Sequence, residues 1–361
     1  MTSVPFDLVN DHVFVRASVE GKPADLIVDT GSSLSSLGES FAARAGISPM
    51  EGFATAAGAA SVPVRLAQVH RLALQEVDLG EAVVVLVPVD QVSRAEGRPV
   101  DGSLGVDLFA RHAVEIDYRS CALLLREPGT LQPGGGVPVA IDARRGIPLL
   151  EATLETREGT RIQARLAVDL GSSFLALRLS ASFVERHGEA FAGLSGLEAA
   201  LGTGVGGRLM GRVVRLRGLR LGDLSVAGPV AGLARERKGA LETGLFDGTL
   251  GVPVFRPWAG IDYKAGRLFL HPEAGRESLY DASGLGLTSD QGGILIDSVA
   301  SPSPASEMGL RPGDRLAKLD GRPLVPRDLH SLRQSLREAG ATRVLEIERL
   351  GPVRIRLRTL V

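Results

Sequence analysis

Two stretches of the 361-residue sequence, one ending near residue 128 and one running from about 137 to 273, carry the same signals in the same order. Such a duplication restricts the fold to two copies of one unit, packed against each other as lobes. Each copy opens on a hairpin pattern: residues 13–19, a turn at Glu20-Gly21-Lys22-Pro23 and residues 26–28, then residues 150–154, a turn at Arg157-Glu158-Gly159-Thr160 and residues 162–168. Both second strands run into an Asp-x-Gly-Ser-Ser tip, Asp29-Thr30-Gly31-Ser32-Ser33 and Asp169-Leu170-Gly171-Ser172-Ser173. A short helix follows each, over residues 40–46 and 182–188, with Phe41 and Phe183, Arg44 and Arg186, and the terminating Gly46 and Gly188 in register. The parallel continues through Leu79-Gly80 and Leu221-Gly222, then Asp101-Gly102-Ser103-Leu104-Gly105 and Asp247-Gly248-Thr249-Leu250-Gly251. It closes on Ile116-Asp117-Tyr118 and Ile261-Asp262-Tyr263.

Between the copies, residues 129–136 are dense in breakers and read as a linker. After about residue 274 the style changes. A Gly-Leu-Gly-Leu turn at residues 284–287 precedes a strand at 294–299, the segments Gly309-Leu310-Arg311-Pro312-Gly313-Asp314 and Leu319-Asp320-Gly321, a helix from about 327 to 338, and terminal strands. The predicted units are residues 1–128, the linker 129–136, residues 137–273 and residues 274–361. With 45 glycines and only 4% aromatics, tight turns between short strands are expected, and the fold class is mostly β.

Lys+Arg at 41 against Asp+Glu at 42 give no bulk charge to attract a nucleic acid. Cys121, the single cysteine, cannot close an intrachain disulfide and reads as a small buried hydrophobe. The six histidines are scattered, and no nucleophile elbow occurs, so metallo- and serine-hydrolase chemistry is not expected and no metal or cofactor is called for. The longest apolar run, residues 82–89, is too short to span a bilayer. The compartment stays open: cytoplasmic as the sequence stands, exported if a leader has been removed. Gly202, Gly204 and Gly207 satisfy a dinucleotide-loop spacing, with Asp223 at about the ribose distance. A strand-like stretch rather than a helix follows them, which argues against that use.

An Asp at a strand tip followed by Thr-Gly-Ser has a sharp turn and neighbouring hydroxyls that can fix its carboxylate. One such carboxylate is a surface acid; two, Asp29 and Asp169, on matching lobes, can meet and share one proton. A pair of that kind offers a base for water and an acid for an amide in one site. Asp101 and Asp247 read as turn formers, and Asp117 and Asp262 as strand closers.

At these residues the chain resembles the aspartic proteases, especially the retropepsin-like aspartyl proteases of bacteria. The family signature is matched by Ile27-Val28-Asp29-Thr30-Gly31 and, less closely, by Ala167-Val168-Asp169-Leu170-Gly171. The bracing apolar-Gly element is similar to Leu104-Gly105 and Leu250-Gly251, and the flaps to Ala56-Ala57-Gly58-Ala59 and to residues 201–207 with Gly204, Gly206 and Gly207. The resemblance implies a two-lobed aspartic-protease barrel pair with Asp29 and Asp169 catalytic. Thr30, Gly31, Ser32, Leu170, Gly171 and Ser172 would support the dyad, and Ser32 and Ser172 would orient the carboxylates. Leu170 departs from the family, because it cannot make the cross-lobe hydrogen bond of a Thr or Ser. The tyrosines Tyr118, Tyr263 and Tyr280 lie outside both flaps, so a pepsin-type flap is absent.

The last module resembles a PDZ domain, with Leu285-Gly286-Leu287 as the loop receiving a peptide's terminal carboxylate and the helix around His330 walling the groove. The implied activity is endopeptidase cleavage of a peptide or unfolded protein at mildly acidic pH, with a C-terminal peptide as possible PDZ ligand. Two alternatives stand beside it: a weakened or inactive peptide-binding scaffold, and a first lobe that pairs with the same lobe of another chain.

Overall fold

The structure of the chain is a computed structural model that describes residues 2–361 apart from Phe53, Ala59, Pro133 and residues 276–278. One member of the first presumed flap, Ala59, therefore lies outside the described residues, as do Pro133 of the linker and residues 276–278 of the last module.

The hairpin His12–Val19 and Lys22–Val28 turns through Glu20 and Gly21 at φ 50° and 75°, the paired positive values of a tight hairpin turn. Its counterpart joins Leu149–Glu155 to Arg161–Val168. Lys22–Val28 then runs parallel to Gly102–Leu104, and Arg161–Val168 parallel to Gly248–Leu250. The strand after each Asp tip, Ser36–Gly38 or Leu177–Leu179, inserts antiparallel on the other side of these short strands. Each lobe thus holds its Asp at the end of a buried strand whose neighbours are the same in both copies, within an eight-stranded and a nine-stranded sheet.

A third sheet joins the lobes. Its order is Thr2–Pro5, Ala122–Arg126, Ala113–Asp117, Trp258–Asp262, Arg267–Leu270, Val137–Ala140, so each half contributes three strands and the central pair crosses the boundary. One apolar core runs through both halves and includes Leu170, while the C-terminal module has its own. In that module the sheet Leu285–Asp290, Gly293–Val299, Arg315–Leu319, Thr342–Ile347, Gly351–Arg356 is packed by Leu329, Leu332 and Leu336 on and beside the helix Leu329–Ser335. That helix is shorter than its apolar pattern, because Pro326–Asp328 forms a separate tight turn before it.

One expectation is corrected. Glu39–Ala45 ends at Gly46 with φ 73°, as its sequence implies, but Ala181–Arg186 ends at His187. Ser180 sets that frame by accepting the Phe183 N–H at 3.1 Å, and Gly188 opens the next short helix, Gly188–Ala192. The linker is also tied down. The fully buried Asp262 carboxylate accepts the N–H groups of Gly129 and Leu131 at 2.9 and 3.3 Å. Among the described residues no helix is long and apolar enough to cross a membrane.

Candidate active site

Both Asp tips are braced alike. The Asp29 N–H donates to the Leu104 carbonyl and the Asp169 N–H to the Leu250 carbonyl, each at 3.0 Å. The glycines after those carbonyls leave no room for a side chain: a methyl on Gly105 would lie 2.6 Å from Ser32 O, and one on Gly251 2.6 Å from Ser172 O. The carboxylates converge. A methyl on Gly31 would stand 2.7 Å from Asp169 Oδ1 and 3.1 Å from Asp29 Oδ1, and one on Gly171 would stand 2.7 Å from Asp29 Oδ1. The two carboxylates are close enough for the Asp29 charge to act on Asp169.

The surroundings of the two acids differ. Asp29 Oδ1 accepts the Gly31 N–H at 2.8 Å, and Oδ2 accepts the Ser32 hydroxyl at 2.6 Å. Ser172 does not do the same for Asp169. Its hydroxyl is buried, has no partner among the described residues, and is turned toward Gly251. Burial first, and then the Asp29 charge, push Asp169 up to about 7, against the opposing pull of the Arg178 guanidinium and the Gly171 N–H. One proton held between two acids is the expected condition of such a pair.

Leu170 behaves as its side chain dictates. It is buried in the apolar core, while Thr30, also buried, donates its hydroxyl to the Val168 carbonyl at 2.7 Å and accepts the Leu170 N–H at 3.0 Å. The cross-lobe tie therefore runs from the first lobe only.

Each lobe supplies a hairpin where a flap is expected. Gly196–Gly204 pairs with Gly207–Arg215 through Val205 and Gly206, and Ala54–Ala57 pairs with Ser61–Leu74. Gly206, at φ 84°, serves the turn, and Gly204 faces Gly207, at φ 118°, across it. The tips meet: Gly58 lies against the Val205 carbonyl, and Gly206 against the Ala60 backbone. Farther down the second hairpin, Gly202 rests on the Arg178 guanidinium, with no space for a Cβ between them.

Three residues outside the sequence reading belong to this region. Arg178 is a cation felt by both aspartates, and burial holds its pKa down while their charges act the other way. His12, at the start of the first hairpin, places Nε2 3.1 Å from the Gly171 carbonyl and Nδ1 3.1 Å from Glu96 Oε1. Glu96 ends the helix Asp90–Glu96, 84 residues along the chain from His12. No periodicity marks either residue.

Of the expected PDZ loop, the Leu285 N–H donates to the Ser283 hydroxyl, and just before it the Asp281 carboxylate accepts the N–H groups of Ser283 and Gly284. Gly286 and Leu287 lie in the strand Leu285–Asp290, paired with Gly293–Val299. Burial raises Asp281 to about 6.

Residues 15–108 match the family model described as aspartyl protease, and residues 295–349 match that of the PDZ domain. No curated protein matches the chain. Among solved structures it is similar to the aspartic proteinase from Irpex lacteus, at 13% identity and a TM-score of 0.44, over 74% of this chain and 96% of that one. The chain carries an aspartyl-protease lobe of the retropepsin-like kind on its N-terminal side and a PDZ domain on its C-terminal side.

Proposed function

We propose that the chain is an aspartic endopeptidase in which Asp29 and Asp169 activate water against a peptide bond. The reading is carried by the convergence of the two carboxylates around Gly31 and Gly171 within one molecule. In this reading the lobes are residues 1–128 and 137–273, joined by 129–136, and the PDZ domain runs from 274.

The unequal surroundings support unequal roles. Asp29, with two donors on its carboxylate, is the base; Asp169, raised by burial, holds the proton. Water adds to the scissile carbonyl carbon, giving one proton to Asp29 while Asp169 gives its proton to the carbonyl oxygen. The resulting gem-diol collapses as the C–N bond breaks: Asp29 protonates the leaving nitrogen and a diol hydroxyl returns a proton to Asp169. The acids end as they began. The peptide would lie extended beneath the two hairpins, whose touching tips must part to admit it.

Purified protein should cleave unfolded casein from acidic to neutral pH and lose that activity in Asp29→Asn and in Asp169→Asn. Activity untouched by both changes overturns the assignment. A second reading, a scaffold that binds peptides without cutting them, is favoured by the one-sided tie at Thr30 and Leu170. Peptide binding without cleavage, and no response to a statine-type inhibitor, would select it.

A further inference from the structure

The Gly171 peptide groups are held from both sides: the N–H faces the Asp169 carboxylate, and the carbonyl meets His12 Nε2 at 3.1 Å. The other ring nitrogen meets Glu96 Oε1 at 3.1 Å. With Glu96 ionised, both partners are acceptors, and the ring satisfies both by carrying a proton on each nitrogen. His12 is 8% exposed, beside a Glu96 that is 4% exposed. The remaining Glu96 oxygen and its carbonyl accept the Asn10 amide at 3.0 and 3.1 Å. Burial works against the His12 charge, but the Glu96 charge and hydrogen bond and the Gly171 carbonyl outweigh it, while Arg178 opposes them.

The second copy has no equivalent. Phe14 pairs with Ile27 and Leu149 with Ala167, each partner standing two residues before its Asp, so the place of His12 falls on Ile147. The C-terminal module also reaches this point. Residues 94–97 sit between its strand Leu285–Asp290 and its helix Leu329–Ser335. Ser289 donates to the Arg94 carbonyl at 2.9 Å, Arg333 donates to the carbonyls of Ala95 and Leu287 at 2.8 Å, and Gly97 lies against Leu329. The Asn10 N–H donates to His330 Nδ1 at 2.8 Å, and Arg333 and Arg337 lie over the ring of Phe174, which follows the second Asp loop.

We infer that Glu96 and His12 form a positioning pair that gives the Asp169 loop the cross-lobe brace Leu170 cannot make, and that the C-terminal module clasps this pair in place. The inference deepens the aspartic-peptidase reading and rests on it for its catalytic consequence.

The test uses the full chain and the variants His12→Ala, His12→Gln and Glu96→Gln, read by amide hydrogen exchange over residues 165–176 and by casein turnover. His12→Ala should speed exchange at Gly171 and Ser172 by about tenfold, and lower kcat by about tenfold with KM within about twofold. His12→Gln, whose amide still donates, should recover most of both. If wild-type protein does not cut casein, the peptidase reading falls while the exchange data still decide the brace. Exchange in His12→Ala equal to wild type overturns the inference. If that variant does not fold, unchanged exchange in Glu96→Gln overturns it.

Discussion

Replacing Thr30 by alanine removes the only side-chain hydroxyl tie across the paired Asp loops among the described residues. Thr30 is fully buried, and its Oγ1 serves the Val168 carbonyl at 2.7 Å and the Leu170 N–H at 3.0 Å. Alanine leaves a carbonyl and an N–H at the lobe boundary without that partner and without water. Each such group costs about 1–3 kcal/mol, so the pair costs about 2–6 kcal/mol out of a total stability of about 5–15 kcal/mol. Serine keeps the hydroxyl and loses one methyl, about 1 kcal/mol. The single Trp258 lies in the strand that pairs with Ala113–Asp117 across the boundary, so its fluorescence in urea follows the opening of the lobe interface. With a slope of about 3 kcal/mol per molar, the alanine midpoint should fall about 1 M below that of serine. Alanine and serine midpoints that coincide within about 0.2 M would show that the hydroxyl is not the tie, and would refute the reasoning.

Three further outcomes are expected. Asp169 has a folded pKa above its unfolded value of about 4, so its contribution to stability is intact at acid pH and is withdrawn as pH rises through about 7. Asp169→Asn should therefore gain thermal stability relative to wild type as pH rises from about 4 to about 7, and a gap independent of pH would contradict this. Gly171→Ala puts a methyl 2.7 Å from Asp29 Oδ1 and should abolish casein turnover and statine-type inhibitor binding, with thermal stability lowered less than in Thr30→Ala. Asp11, 3% exposed, accepts bonds from Arg256 and Arg337 at 2.9 and 2.8 Å. Asp11→Ala should cost about 3–5 kcal/mol, seen as a lower thermal midpoint.

The duplicated tips, their bracing glycines and the two glycine hairpins are readable from residues 29–33 and 169–173 and their matched neighbours, because local turns and strand ends leave local patterns. Equal patterns overstate equality, however. Ser32 and Ser172 occupy the same place in the repeat, yet only Ser32 reaches its carboxylate, since the hydroxyl's direction depends on neighbours the motif does not contain. His12 and Glu96 leave no trace in sequence, because a strand start and a helix end 84 residues apart meet only once the elements between them have folded. The seat of residues 94–97 against the C-terminal module is hidden for the same reason: the bond from Arg333 to Ala95 closes a loop of 238 residues.

The sheet shared by the halves has a consequence for any shortened form of the chain. A polypeptide stopping near residue 130 would keep Asp29 but leave Ala113–Asp117 without its neighbour Trp258–Asp262, presenting a row of open amides and carbonyls. The natural stopper for that row is the equivalent strand of another identical half, which would bring a second Asp29 opposite the first. Fusion of the halves keeps that seam internal, so the unequal loops stay matched to each other.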